Sequence, residues 1–93
     1  MESSRYKIRV SGRVTGVGYR HSARAKARFL NLRGFVRNEE DGTVYIEAEG
    51  KQEVLNEFLS WCRKGPGMGF VESVQVETAP LAGLPEFYVQ FNL

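Results

Sequence analysis

Apolar and polar positions alternate from the start of the chain. Tyr6, Ile8 and Val10 are separated by Lys7 and Arg9, and this period of two predicts a half-buried strand. The period then changes. Over residues 21–31, Ala23, Ala27 and Leu30 recur at helical spacing, while Arg24, Lys26 and Arg28 supply the wet face. Ser22 is placed to cap the start of this helix. Asn31 is placed to end it in the left-handed conformation that asparagine tolerates. Gly34-Phe35-Val36-Arg37-Asn38 opens a second strand, and Asp41-Gly42 between two extended runs is a hairpin signal. Val44, Ile46 and Ala48 alternate with Tyr45, Glu47 and Glu49 in a third strand, which Gly50 breaks.

Val54, Leu55, Phe58, Leu59 and Cys62 form one apolar stripe, so residues 51–63 read as a second amphipathic helix. Gly65-Pro66-Gly67-Met68-Gly69 stops it. Val71, Val74 and Val76 belong to a fourth strand whose alternation slips once, the mark of a bulge. A loop from Ala79 to Pro85 precedes a last strand, in which Phe87, Val89 and Phe91 alternate with Tyr88 and Gln90. The order is β-α-β-β-α-β plus a final strand. This is the α+β class with a ferredoxin-like split β-α-β arrangement: an antiparallel sheet with two helices packed on one face. Right-handed crossovers put the first and third strands side by side at the centre. The second strand pairs with the third, which lets Asn38 reach toward the loop after the first strand.

The chain of 93 residues reads as a single domain, residues 1–93, with a core large enough to need no staples. Its one cysteine, Cys62, rules out an internal disulfide and points to a reducing compartment. The N-terminus has no apolar signal core and no stretch has the length of a membrane span, so the expected location is cytoplasmic. The net charge of +2 is too small to imply nucleic acid. Its distribution matters more. Ten of the 13 Lys and Arg residues fall within the first 37 positions, where Glu2 is the only acid, and such a half attracts small anions.

The candidate chemistry lies between the first strand and first helix, in Gly12-Arg13-Val14-Thr15-Gly16-Val17-Gly18-Tyr19-Arg20. Three glycines allow positive φ, so successive backbone N–H groups can turn toward one centre as an anion-binding nest. The following helix adds its unpaired N–H groups and positive dipole end. Arg20 closes the loop with a guanidinium able to grip two phosphate oxygens. Spacing alone fits a ligand-free strand-to-helix turn equally well. A Walker loop is excluded because Gly18 is followed by Tyr19-Arg20 rather than Lys and Ser or Thr. The dinucleotide fingerprint lacks its third glycine.

These residues resemble the acylphosphatases along essentially the whole chain. The family's loop reads Gly-x-Val-x-Gly-Val-x-Phe-Arg, matched by residues 12–20. Its second motif is matched by Ala27, Leu30-Asn31-Leu32, Gly34-Phe35-Val36-Arg37-Asn38, Asp41-Gly42 and Val44. Gly65-Pro66 and Phe87-x-Val89 also fit. The departures are small: Thr15 for a frequent glutamine, Tyr19 for phenylalanine, Asn31 for glycine and Gly69 for alanine. The resemblance implies a monomeric hydrolase, free of metal and cofactor, that cleaves the mixed anhydride of a carboxylic and a phosphoric acid. Its partners would be a small acyl phosphate and inorganic phosphate as product or competitive ligand, with no nucleic acid and no membrane. The family's phosphate-binding arginine maps onto Arg20 and its water-orienting asparagine onto Asn38. The backbone N–H groups of Thr15, Gly16, Val17, Gly18, Tyr19 and Arg20 would line the cradle.

An acyl phosphate already carries a stable leaving group, so positioning and electrostatics suffice. The rest of the inventory is consistent with that economy. His21 has no evident partner carboxylate and reads as a surface residue. Cys62 lies on an apolar stripe, and Glu39-Glu40-Asp41 reads as a solvated hairpin tip. Phe29, Phe58, Trp61, Phe87 and Phe91 read mostly as core, with Trp61 at its edge. Two other classes compete. Arg33-Gly34-Phe35-Val36 superficially resembles the signature of RNA-binding modules of this element order, but there it lies on the third strand. Here the third strand carries Glu47 and Glu49, which repel phosphate. A phosphate sensor that lost turnover is opposed by the presence of both Arg20 and Asn38.

Overall fold

The computed structural model describes residues 2–67 and 69–91. The elements are β1 (Ser3–Arg13), α1 (Tyr19–Phe29), β2 (Arg33–Asn38), β3 (Val44–Lys51), α2 (Gln52–Lys64), β4 (Phe70–Ala79) and β5 (Tyr88–Val89). The strands form one sheet in the order β4-β1-β3-β2-β5. β1 lies between β3 and β4, antiparallel to both, and β2 pairs antiparallel with β3. β1 and β3 are thus side by side, as the crossover rule requires.

The last strand departs from the expected sheet. β5 is two residues long and runs parallel to β2, with Phe35 opposite Tyr88 and Val36 opposite Val89. The sheet is therefore mixed. The cause is the route of the preceding loop, which reaches β2 at the strand's starting end. There the Gly34 N–H donates to the Pro85 carbonyl (2.8 Å) and Arg33 Nε donates to the Leu84 carbonyl (2.6 Å). A chain arriving at that end can only run alongside β2 in the same direction.

The core lies on one face of the sheet. Tyr6, Ile8 and Val10 of β1, Val36 of β2, and Val44, Ile46 and Ala48 of β3 are buried there. Register aligns them in rows, with Ile8 opposite Ile46 and Ile46 opposite Val36. α1 contributes Tyr19, Ala23 and Ala27, and α2 contributes Leu55, Phe58, Leu59 and Cys62. The two alanines on α1 leave room for the helix to approach the sheet. The opposite face is polar and self-paired: Arg5 meets Glu47 at 3.3 Å, and the Tyr45 hydroxyl donates to Glu47 at 2.7 Å.

Two local features set up the loop after β1. The pairing of β1 with β4 shifts between Ser11 and Gly12, so that Ser11 faces Ser73 but Gly12 faces Val71. This is the expected bulge, with Glu72 as the extra residue. Gly12 has φ 128° there, and a Cβ would run into the Phe70 carbonyl. At the far end of α1, Asn31 takes φ 59°. Its N–H donates to the Arg28 carbonyl (3.0 Å) and the Leu32 N–H to the Ala27 carbonyl (2.9 Å). This paired bonding closes the helix and turns the chain into β2.

α1 itself begins two residues earlier than its periodicity suggests, at Tyr19 rather than residue 21. Gly18 is the cap, in the left-handed conformation at φ 78°, ψ 15°. Ser22 is not the cap; it lies inside the first turn, its N–H bonded to the Gly18 carbonyl at 3.0 Å. The aromatic residues also divide differently from expectation. Phe58 and Phe87 are core, and Trp61 is half-buried at its edge, but Phe29 and Phe91 are 77% and 61% exposed.

Candidate active site

The segment between β1 and α1 is shaped by its backbone. Gly16 and Gly18 both have positive φ, 74° and 78°. Such left-handed residues alternating with ordinary ones aim consecutive N–H groups to one side. The first N–H engaged in the α1 ladder is that of Ser22, so the amides of Tyr19, Arg20 and His21 lie ahead of it. The first turn of α1 has no acidic side chain, whereas Lys26 and Arg28 compensate the last turn. The positive end of the helix dipole is therefore left open toward the loop.

Thr15, Gly16 and Gly18 are exposed, Val17 and Arg20 half-buried, and Tyr19 buried. The Tyr19 side chain turns inward and anchors the cradle. Its hydroxyl donates to the Cys62 carbonyl at 2.8 Å, and its ring packs 5.3 Å from that of Trp61. Burial pushes the Tyr19 hydroxyl far above the ordinary tyrosine range, so it stays a donor. Gly69 lies close against this segment: a Cβ there would collide with the Arg13 carbonyl and lie 2.9 Å from Val17 Cγ2.

Arg20 points away from the core. Among the described residues no carboxylate pairs with it. Its guanidinium carbon instead sits 5.1 Å from the centroid of the Phe91 ring. A ring at this distance attracts the cation through its π face and, unlike a carboxylate, does not neutralise its charge.

Asn38 is the last residue of β2 and is half-buried, with its side-chain oxygen shut off from solvent. It faces Val44 on β3, and Val44 faces Val10 on β1. Asn38 thus stands two strands from β1, roughly 10 Å at ordinary strand spacing, at the sheet end where the Gly-rich loop leaves. The hairpin beyond it is pinned. The Asp41 carboxylate accepts from the Thr43 N–H (3.0 Å) and hydroxyl (2.7 Å), which lowers its pKa. The Glu39 N–H donates to the Thr43 carbonyl at 2.9 Å.

The fold therefore brings the loop amides, Arg20 and Asn38 to one end of the sheet. Sequence reasoning missed Phe91 as part of this region. Its alternation with Val89 and Phe87 reads as a buried strand face, and nothing in the pattern reveals that β5 ends at Val89. His21 is exposed, away from the core. Among the described residues no three His, Cys, Asp or Glu side chains gather closely enough to hold a metal ion, and no helix is long and apolar enough to cross a membrane.

Comparison with known proteins identifies the family. The family model described as acylphosphatase covers residues 6–89. An acylphosphatase of Synechococcus sp. (strain CC9311) is 42% identical over 86 residues, 92% of this chain and 96% of that one. An acylphosphatase of Thermus thermophilus is 46% identical over 80 residues, 86% of this chain and 91% of its own. The crystal structure of acylphosphatase from Bacillus subtilis superposes with a TM-score of 0.91 at 34% identity, covering 94% of this chain and 98% of that one. With a matching family model over most of its length and such relatives, the chain belongs to the acylphosphatase family, whose members hydrolyse acyl phosphates.

Proposed function

We propose that Arg20 and the backbone N–H groups of residues 15–20 hold the phosphoryl group of the acyl phosphate while Asn38 places the attacking water. The water oxygen forms a bond to phosphorus as the bond from phosphorus to the acyl oxygen breaks. The products are a carboxylate and inorganic phosphate. A substrate phosphate oxygen takes the water's proton, so no side chain need act as a base. The protein acts as a monomer in the cytoplasm, as one domain, and needs no metal or cofactor.

The observation that carries this reading is Arg20. It is a cation with no carboxylate partner among the described residues. It stands in the first turn of a helix whose leading amides open onto a loop of positive-φ glycines. Fixed donors and a planar fork of this kind suit the charge spread over a transferring phosphoryl group. Asn38, at the same sheet end, offers an amide that orients water but does not titrate near neutral pH. Orientation can supply several kcal/mol, up to ~7–11 for well-aligned reactants.

The test is hydrolysis of benzoyl phosphate by the purified protein in excess chelator, with a phosphate monoester as control. Chelator-resistant turnover of the anhydride alone supports the reading. Turnover that appears only with added metal overturns the mechanism while leaving the fold intact. Saturable phosphate binding without turnover would make the chain a sensor.

A further inference from the structure

We infer that Phe91 is a positioning residue for Arg20: its ring sets the plane of the guanidinium fork that meets the phosphoryl group. The inference rests on the reading of Arg20 as the phosphate-binding residue. Three observations support it.

The contact is specific. The Arg20 guanidinium carbon is 5.1 Å from the Phe91 ring centroid, within the range of cation–π attraction. A carboxylate in that place would occupy the fork's donors and cancel its charge. A ring attracts the cation through its π electrons and leaves its charge for the ligand.

The ring is not there to fill the core. Phe91 is 61% exposed, although Phe87, four residues earlier, is fully buried. Leaving such a ring in water forgoes the burial that an inward-facing Phe obtains.

The backbone carries Phe91 to the site. β5 runs parallel to β2 with Val36 opposite Val89. The Gln90 N–H continues the ladder to the Val36 carbonyl at 2.8 Å, and Arg37 Nη1 donates to Gln90 Oε1 at 3.1 Å. Carrying that register onward sets Phe91 opposite Asn38. Arg28 Nε holds the segment from the helix side by donating to the Phe87 carbonyl at 2.8 Å. The final segment thus bridges the strand that bears Asn38 and the helix that bears Arg20.

The experiment compares wild type, Phe91→Leu, Phe91→Trp and Arg20→Ala. It measures inhibition by inorganic phosphate, kcat and KM for benzoyl phosphate, and Tm. Loss of an exposed cation–π contact corresponds to roughly 2- to 5-fold in an equilibrium constant. Phe91→Leu should raise the phosphate Ki and the KM together by about that factor, with a smaller change in kcat and an unchanged Tm. Phe91→Trp should restore both, because it returns a π face. The inference is overturned if Phe91→Leu binds phosphate like wild type while Arg20→Ala does not. It is also overturned if Phe91→Trp is as weak as Phe91→Leu, since the effect would then not be the ring face. If Arg20→Ala itself binds phosphate and turns over normally, the cradle reading fails first.

Discussion

The hydroxyl of Tyr19 donates to the carbonyl of Cys62 across 2.8 Å, joining the first residue of α1 to the last turn of α2. The last four carbonyls of a helix have no partner within it. The Trp61 carbonyl is taken by the Gly65 N–H at 2.7 Å, and Tyr19 serves the next one. Tyr19→Phe keeps the ring but leaves a buried carbonyl short of its donor. It should cost about 1–2 kcal/mol. Activity should stay near wild type, because the cradle uses the Tyr19 amide and not its hydroxyl. Urea unfolding and benzoyl phosphate turnover measure the two effects. A large fall in activity at unchanged stability would give the hydroxyl a part in the chemistry.

Arg20→Ala and Asn38→Ala should fail in different ways. Removing a preorganised donor costs on the order of 10²–10³ in rate, and Arg20→Ala should lose phosphate affinity along with it. Arg20→Lys should not rescue, since a point charge lacks the planar fork. Asn38→Ala should still bind inorganic phosphate but turn over poorly, because it removes water placement more than ground-state binding. Phosphate titration beside steady-state kinetics separates them. Collapse of phosphate affinity in Asn38→Ala would make Asn38 a binding or folding residue.

Much of this architecture was legible because one face of each element is buried. The alternation in β1 and β3 survives as rows of fully buried residues such as Ile8 and Ile46. The slip between Val71 and Val74 marks a real bulge opposite Gly12. Asn31 ends its helix as its chemistry suggests. The start of α1 was misplaced because Ser22 is the better side-chain cap, whereas Gly18 caps through its backbone alone. Phe29 is apolar but lies off the stripe of Tyr19, Ala23 and Ala27 that faces the sheet. The direction of β5 was not legible, because a two-residue strand carries too little pattern. Its course is set by tertiary contacts of the preceding loop, which no local period encodes. Phe91 reads as core in the sequence for the same reason, although it is exposed.

Those loop contacts depend on Glu49, a buried acid at 6% exposure. Its carboxylate accepts from the Leu84 N–H at 2.8 Å and from the Ala82 N–H. Bonds from amides to an ionised acceptor are worth more than neutral ones. Glu49→Ala should therefore destabilise by about 1.5–3 kcal/mol. Glu49→Gln should recover part of this, since its one carbonyl oxygen can serve one amide while its NH₂ meets the other donor. Hydrogen exchange at Ala82 and Leu84 should speed up more than exchange in α2. Unchanged exchange at those two amides would show that the loop holds its course without Glu49.

Alkaline pH should destabilise this fold through groups it keeps protonated. Burial pushes the Cys62 thiol from 9.0 up to about 12, against smaller opposing effects from Tyr19 and Arg63. Burial and the bond to Glu47 push the Tyr45 hydroxyl from 10.0 up to about 12. Each pKa is raised on folding, so each contribution is fully present below the unfolded value and is lost as pH rises through the folded one. Stability should be level up to about pH 9, then decline toward pH 12, first through Cys62 and above pH 10 also through Tyr45 and the buried Tyr19, whose hydroxyl is raised beyond that range. One fully buried thiol accounts for at most ~1.4 kcal/mol per pH unit in that window. Tyr45 adds less, because water screens its exposed portion. Cys62→Ala should be less stable at neutral pH through lost packing, yet decline less steeply between pH 9 and 10. The same burial shields the thiol at pH 8, where native protein should react with a disulfide reagent only as fast as it opens. Labelling at the rate of a free thiol, or a stability curve that stays level to pH 11, would show that Cys62 is not held as the structure places it.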